Sequence, residues 1–165
     1  MTKIGLISDT HGYLDPKIFQ YLKEVDEIWH AGDVGSAVII DELNEFKTTR
    51  GVFGNIDDHK LRHIWPEHLF FICENKRVLI SHIGGKPYKY RESSYTKIKE
   101  FKPDIFVCGH SHTLLVQYDK TINALWLNPG ACGNKGFHKV STLLRFEIDG
   151  DNIQNMEVIE LKNRS

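Results

Sequence analysis

"KIGLISDTHGYLDPKIFQYLKEVDEIWHAGD", residues 3–33, decides how this chain folds. Lys3 to Ser8 is a short apolar run that reads as a buried strand. Asp15-Pro16 suits a helix start, with Asp15 as N-cap and Pro16 in the first turn, where a missing N–H costs nothing. Ile18, Phe19, Leu22 and Val25 follow at 3–4 spacing and give that helix one apolar stripe. Glu27 to Ala31, "EIWHA", is the next strand. Strand, helix and strand in about 30 residues make a parallel β-α-β unit.

The same rhythm continues outward. Ser36 can cap a second helix carrying Val38, Ile39, Leu43 and Phe46, and "TTRGVF", Thr48 to Phe53, is a third strand. The pattern then changes to a hairpin, "LFFICENKRVLISHI", with its turn at Glu74-Asn75-Lys76. Ser93 can cap a further helix (Tyr95, Ile98, Phe101) that stops before Pro103. "DIFVC", Asp104 to Cys108, is another buried strand, and "LLVQY" and "NALWL" turn around Asp119-Lys120-Thr121. The C-terminal stretch alternates polar and apolar residues on either side of Asp149-Gly150-Asp151, as an antiparallel hairpin does. No repeat, low-complexity stretch or linker interrupts 165 residues, so one domain, 1–165, is expected.

Bulk chemistry narrows the function classes. Positive and negative residues nearly cancel, 21 against 22, so no strong field recruits nucleic acid or an acidic membrane. No apolar stretch approaches the ~20 residues that span a bilayer, and the N-terminus lacks the apolar core of a signal peptide. Cys73, Cys108 and Cys132 fit no thiolate motif and read as small buried hydrophobes in a reducing cytoplasm. Nine histidines stand out. His59, His63, His68 and His138 lie in polar or charged surroundings, where surface or partly buried roles suffice; His30 reads as a core residue or a support for the neighbouring site.

The polar clusters fall at strand ends. Asp9-Thr10-His11-Gly12 follows the first strand, Gly32-Asp33 the second and Gly54-Asn55 the third; His82 and Gly109-His110-Ser111-His112 end two more. Ligands bind at that edge of α/β sheets, and five polar clusters there need a shared cause. Two carboxylates, one carboxamide and four imidazoles suit Mn, Fe, Co, Ni or Zn rather than Ca²⁺. Seven donors exceed the four of a structural zinc and match two metals sharing one carboxylate. Glycines 12, 32, 54 and 109 let the backbone turn and come close. Two divalent ions, two aspartates and a hydroxide sum to +1, which attracts a phosphate ester. Paired ions ~3.5–4 Å apart also activate water near neutral pH.

"SDTHG", "HAGD", "GNID", the strand-ending His82, "GHSH" and Asn128-Pro129-Gly130, in that order, resemble the calcineurin-like metallophosphoesterase superfamily over residues 4 to 130. Length and motif detail resemble its small phosphodiesterase branch, to which the retromer metallophosphoesterase-like scaffold subunit is related. The resemblance implies an α/β fold, a four-layer β-sandwich of two mixed sheets flanked by helices. It implies that Asp9, His11 and His112 hold one divalent ion, that Asn55, His82 and His110 hold the other, and that Asp33 bridges them. Manganese is the expected metal, with Fe, Zn, Ni or Co as alternatives. Asn55 would also touch the phosphate, and Asp57 would either support the site or begin the following helix.

Two positions depart from that family. Ile56 stands where many relatives carry a histidine after the asparagine, and Ile83-Gly84 follows His82 where many carry Gly-His. "GGKPYKYRES", residues 84–93, is either a lip over the metals, with Lys86 or Arg91 clamping a phosphate and a tyrosine against a ring, or a solvated basic loop. The expected activity is phosphodiesterase or phosphatase chemistry on a small or exposed phosphoester in the cytoplasm. A scaffold on the same fold is the alternative, and a nuclease is disfavoured by the charge balance. The physiological ester and the oligomeric state are left open by the sequence.

Overall fold

The β-α-β expectation holds in the computed structural model, which describes residues 1–163. Strand β1 (Thr2–Ile7), helix α1 (Lys17–Tyr21), β2 (Glu27–His30), α2 (Ala37–Phe46) and β3 (Thr48–Gly51) form the first parallel units. Helix α3 (His59–Ile64) leads to the hairpin β4 (His68–Cys73) and β5 (Lys76–Ser81). A short hairpin, β6 (Gly85–Lys86) and β7 (Lys89–Tyr90), precedes α4 (Glu92–Phe101). Strands β8 (Ile105–Val107), β9 (Leu115–Asp119) and β10 (Ala124–Asn128) follow, and β11 (Val140–Asp149) with β12 (Asn152–Asn163) closes the chain.

Two five-stranded sheets result, ordered β12-β11-β1-β2-β3 and β4-β5-β8-β10-β9. Each is mixed. In the first, β1, β2 and β3 run parallel while β11 pairs antiparallel with both β1 and β12. In the second, β5, β8 and β10 run parallel and β4 and β9 flank them antiparallel. Strands buried on both faces must be apolar almost throughout, as Ile4, Leu6, Ile80, Val107 and Leu127 show. One core lies between the sheets, with Trp29, Val52, Val78 and Phe146 among its members. A second joins α1, α2 and α3 to the outer face of the first sheet; a third joins α4 to the second. The order helices, sheet, sheet, helix is the expected four-layer sandwich.

Several local expectations shift. Helix α1 is capped by Pro16, and Asp15 Oδ1 instead accepts the N–H of Lys17 (2.9 Å). It ends at Tyr21, yet Leu22 and Val25 still fill the core from the turn that follows. Ser36 caps α2 as expected, accepting from Val38 N. Val38 itself is exposed, because Ile39, Ile40 and Leu43 form the buried stripe. Ser93 does not cap α4, whose N-cap is Arg91, so the serine lies inside the first turn. The helix stops at Lys102 in a left-handed conformation, immediately before Pro103. Cys73, Cys108 and Cys132 are buried and free. Among the described residues no helix is long and apolar enough to cross a membrane.

Candidate metal centre

The parallel strands carry the site. The loops after β1, β2, β3, β5 and β8 leave the carboxyl ends of parallel strands in two facing sheets. The loops after β1, β2 and β8 turn sharply. Asp9, His11, Asp33, His110 and His112 all have positive φ, 47° to 67°, half of the ten non-glycine residues that do so among those described. Left-handed backbone costs an L-residue roughly 1–2 kcal/mol, so its concentration on these positions marks strain held for a purpose. Gly109 shows the closeness of the approach: a Cβ there would lie 2.1 Å from Ser8 Oγ and 2.7 Å from Asp9 Oδ2.

Each carboxylate has one oxygen tied down and one turned inward. Ser8 Oγ (2.6 Å) and the His110 N–H (3.1 Å) donate to Asp9 Oδ2. Asp9 Oδ1 is buried with no hydrogen bond, 3.2 Å from His112 Nε2 and 3.6 Å from His11 Nε2. The Ile56 N–H donates to Asp33 Oδ1 (3.0 Å), which leaves Oδ2 facing His82 Nε2 (3.2 Å) and His11 Nε2 (3.4 Å). His82 Nδ1–H donates to the Ala31 carbonyl (2.7 Å), so the lone pair of its neutral ring sits on the inward Nε2. Asn55 Oδ1 and His110 Nδ1 are 2.9 Å apart, a separation shared by a hydrogen bond and by two ligands of one ion.

These spacings fit metal ligation. Donors that share an ion at ~2.1 Å lie ~3.0 Å apart in an octahedron and ~3.4 Å apart in a tetrahedron. Asp9, His11 and His112 form one compact donor group; Asp33, His82 and His110 form a second. Asp33 Oδ2 faces an imidazole of each group. Asp9 Oδ1, His11 Nε2 and His82 Nε2 are buried polar atoms without hydrogen-bond partners, a costly arrangement unless a cation satisfies them.

The electrostatics agree. Burial alone would raise the Asp9 and Asp33 carboxyls, but the facing imidazoles outweigh it and hold both well below the usual carboxylate range. His11 is raised to about 9, chiefly by Asp33 and then Asp9, against the cost of burial. His82 is also raised: desolvation opposes, and Asp33 and Asp9 prevail. His110 is lowered by burial and by the neighbouring His82. A cation among these groups replaces the protons that otherwise balance the carboxylates.

The other anticipated residues separate. Asp57 is buried and accepts the N–H groups of Gly54 (2.8 Å), Gly35 (2.9 Å) and Val34 (3.1 Å), so it ties the Asp33 loop to the Asn55 loop. Asp58, not Asp57, caps α3, accepting from Leu61 N (3.1 Å). His30 is fully buried, accepts from Gly32 N at Nδ1 and bonds Thr10 through Nε2, so it holds loops and offers no nitrogen to the centre. Arg91 lines a cavity of about 170 Å³ shared with Asn55, His82, Arg62 and His68. Lys86 is exposed on the β6–β7 hairpin and does not line that cavity. Tyr90 docks on the body, its hydroxyl on Asp119 and its ring stacked on Tyr95, while Tyr88 is exposed.

Three residues of the site escaped sequence reasoning. Ser8 holds the outer oxygen of Asp9. Asn128 donates to the Gly109 carbonyl and Ser111 Oγ, both 3.0 Å, and so clamps the His110–His112 loop. Its place in Asn128-Pro129-Gly130, the last piece of the resemblance, was the available signal. His138 Nδ1 lies 3.1 Å from His112 Nδ1. It stands 26 residues further along, with no spacing rule to announce it.

Comparison with known proteins agrees with this geometry. The calcineurin-like phosphoesterase superfamily domain matches residues 2–151. A probable metallophosphoesterase of Methanocaldococcus jannaschii is 31% identical over 150 residues, covering 84% of this chain and 74% of that protein. Among solved structures, an archaeal phosphodiesterase superposes with a TM-score of 0.77 at 21% identity, covering 96% of this chain and 99% of that one. Vps29 of Chaetomium thermophilum gives 0.75 at 14% identity, covering 98% and 97%. At those identities the superpositions speak for the fold alone; with 150 of 165 residues inside the family domain, the chain belongs to the calcineurin-like phosphoesterase superfamily.

Proposed function

We propose that this chain is a metal-dependent phosphodiesterase acting on a small or exposed phosphoester. Asp9, His11 and His112 would hold one divalent ion and Asn55, His82 and His110 the other, with Asp33 between them. Manganese is the expected metal, with Fe, Zn, Ni or Co able to use the same donors. The observation that carries the reading is Asp33 Oδ2, within 3.4 Å of imidazoles from both donor groups. The diester reading follows the resemblance to the small phosphodiesterase branch; a solved archaeal phosphodiesterase has the same fold. Three free, buried cysteines support a reducing cytoplasm as the compartment.

When bound, the two ions supply Lewis acidity and bring the ionisation of water close to neutral pH. The chain's own groups orient the ester. Asn55 Oδ1 faces His110 Nδ1 and would turn to the ion they share, which leaves its amide N–H groups to meet a phosphoryl oxygen. Arg91 opens on the same cavity as Asn55 and His82, which supports a role in pairing with a non-reacting oxygen. Ile56 contributes only its backbone N–H, to Asp33, so its position provides no proton for the leaving group. Esters whose leaving groups depart without protonation, such as aryl diesters, should therefore react faster than alkyl ones.

The test is elemental analysis of purified protein, followed by a panel of aryl and alkyl phosphodiesters and monoesters with and without added Mn²⁺. About two ions per chain and Mn²⁺-stimulated diesterase activity are expected, with Asp33→Asn reduced to background. A protein replete in metal that hydrolyses nothing on the panel would instead be a binding scaffold on this fold.

A further inference from the structure

The outer nitrogen of His112 meets a side chain and not a backbone carbonyl. His82 has the Ala31 carbonyl at Nδ1. His112 has His138, whose Nδ1 is 3.1 Å away with the two rings nearly perpendicular. The proton in that contact can be assigned from the next link. His138 Nε2 lies 3.0 Å from the Gly133 carbonyl, which only accepts, so Nε2 bears the hydrogen. A neutral His138 then has a lone pair at Nδ1, and the shared proton belongs to His112 Nδ1. That leaves the lone pair of His112 on Nε2, 3.2 Å from Asp9 Oδ1.

The support for His138 is itself built in. Ser141 Oγ donates to the same Gly133 carbonyl (2.8 Å), and the Gly133 N–H donates to the Asp9 carbonyl (3.2 Å). The path Asp9, Gly133, His138, His112 thus returns to the site from which it starts. Gly136 packs against the other side of the junction. Its φ is +112°, and a Cβ there would lie 2.4 Å from His112 Nδ1 and 2.5 Å from Cε1. No side chain fits at position 136 against the His112 ring.

We infer that His138 is a positioning residue: it fixes the tautomer and orientation of His112 so that Nε2 is presented to the ion shared with Asp9 and His11. This rests on the proposed two-metal reading. It adds that the two ions are supported unequally, one through a backbone carbonyl and the other through a replaceable side chain. Outer partners of ligating histidines set metal affinity by ~10–100-fold.

Co²⁺ titration followed by visible absorption and calorimetry tests it in wild type, His138→Phe and His138→Asn. Phe keeps a ring without an acceptor; Asn restores an acceptor oxygen near Nδ1. Wild type should take two equivalents. His138→Phe should weaken one by ~10–100-fold and leave the other within about twofold, which also shows that the fold is intact, and His138→Asn should recover most of the loss. In the Zn²⁺-loaded wild type, long-range ¹H–¹⁵N spectra should show His112 protonated at Nδ1 and bound through Nε2. Unchanged affinities in His138→Phe, equal loss at both equivalents, an Asn variant no better than Phe, or His112 bound through Nδ1 would each overturn the inference alone. A wild type that binds no Co²⁺ would overturn the two-metal reading with it.

Discussion

His30 shows how one buried side chain couples this fold to pH. Burial lowers its pKa to about 4 from the ordinary 6.5, because a charged imidazolium beneath Trp65 would lose its hydration. The folded state therefore prefers the neutral ring. That preference contributes stability fully present above pH 6.5 and lost as pH falls to about 4. The gap, 6.5 − 4 = 2.5 units, amounts to roughly 3 kcal/mol. Urea unfolding of the wild type at pH 8 and pH 4 should show that much more acid loss than His30→Asn, which keeps an acceptor for the Gly32 N–H. Equal losses in the two proteins would place the acid sensitivity elsewhere. From the sequence, His30 could be a core group or a support for the site; its two bonds, to Gly32 and Thr10, make it both.

At the scale of elements, adjacent residues divide their labour. Asp57 joins the loops after β2 and β3, whereas Asp58 only starts α3. Asp57→Ala leaves three N–H groups without their acceptor and should cost about 3 kcal/mol, at roughly 1 kcal/mol each. It should also weaken metal binding, because the Asp33 and Asn55 loops lose their common anchor. Asp58→Ala should cost about 1 kcal/mol as a lost N-cap and leave metal affinity unchanged. Chemical denaturation beside metal titration separates the two. The segment that leaves β5 divides similarly. Arg91, at the N-cap of α4, opens on the cavity beside Asn55, while Lys86 points from the exposed hairpin. Arg91→Ala should lower kcat/KM on diesters about tenfold or more, and Lys86→Ala should stay within about twofold. The sequence offered both cations equally, since a run such as "GGKPYKYRES" has no periodicity to say which side chain turns inward.

Across the whole molecule the centre is a joint between layers. Asp9, His11, Asp33 and Asn55 follow strands of one sheet; His82, His110 and His112 follow strands of the other. On the two-metal proposal, ions held there would connect the sheets, so removing them should destabilise the entire sandwich and not one loop. Free metal at a thousand times Kd adds about 4 kcal/mol per site, and calorimetry with chelator or excess Mn²⁺ should show a correspondingly large shift in Tm. Binding should also release protons below pH 9, because His11, raised to about 9, must give up its proton to become a ligand. Affinity should therefore rise with pH toward 9, and titration in buffers of different ionisation enthalpy counts the protons released. By itself the sequence determined the order of the main strands and helices, though not the β6–β7 hairpin, and which polar cluster ends each strand, because apolar periodicity and turn chemistry act over a few neighbouring residues. Only the tertiary structure decided which oxygen of Asp9 is free, which nitrogen of each histidine turns inward, and that His138 stands behind His112. Those choices are made by hydrogen bonds between residues 26, 51 and 101 positions apart, which no local pattern encodes.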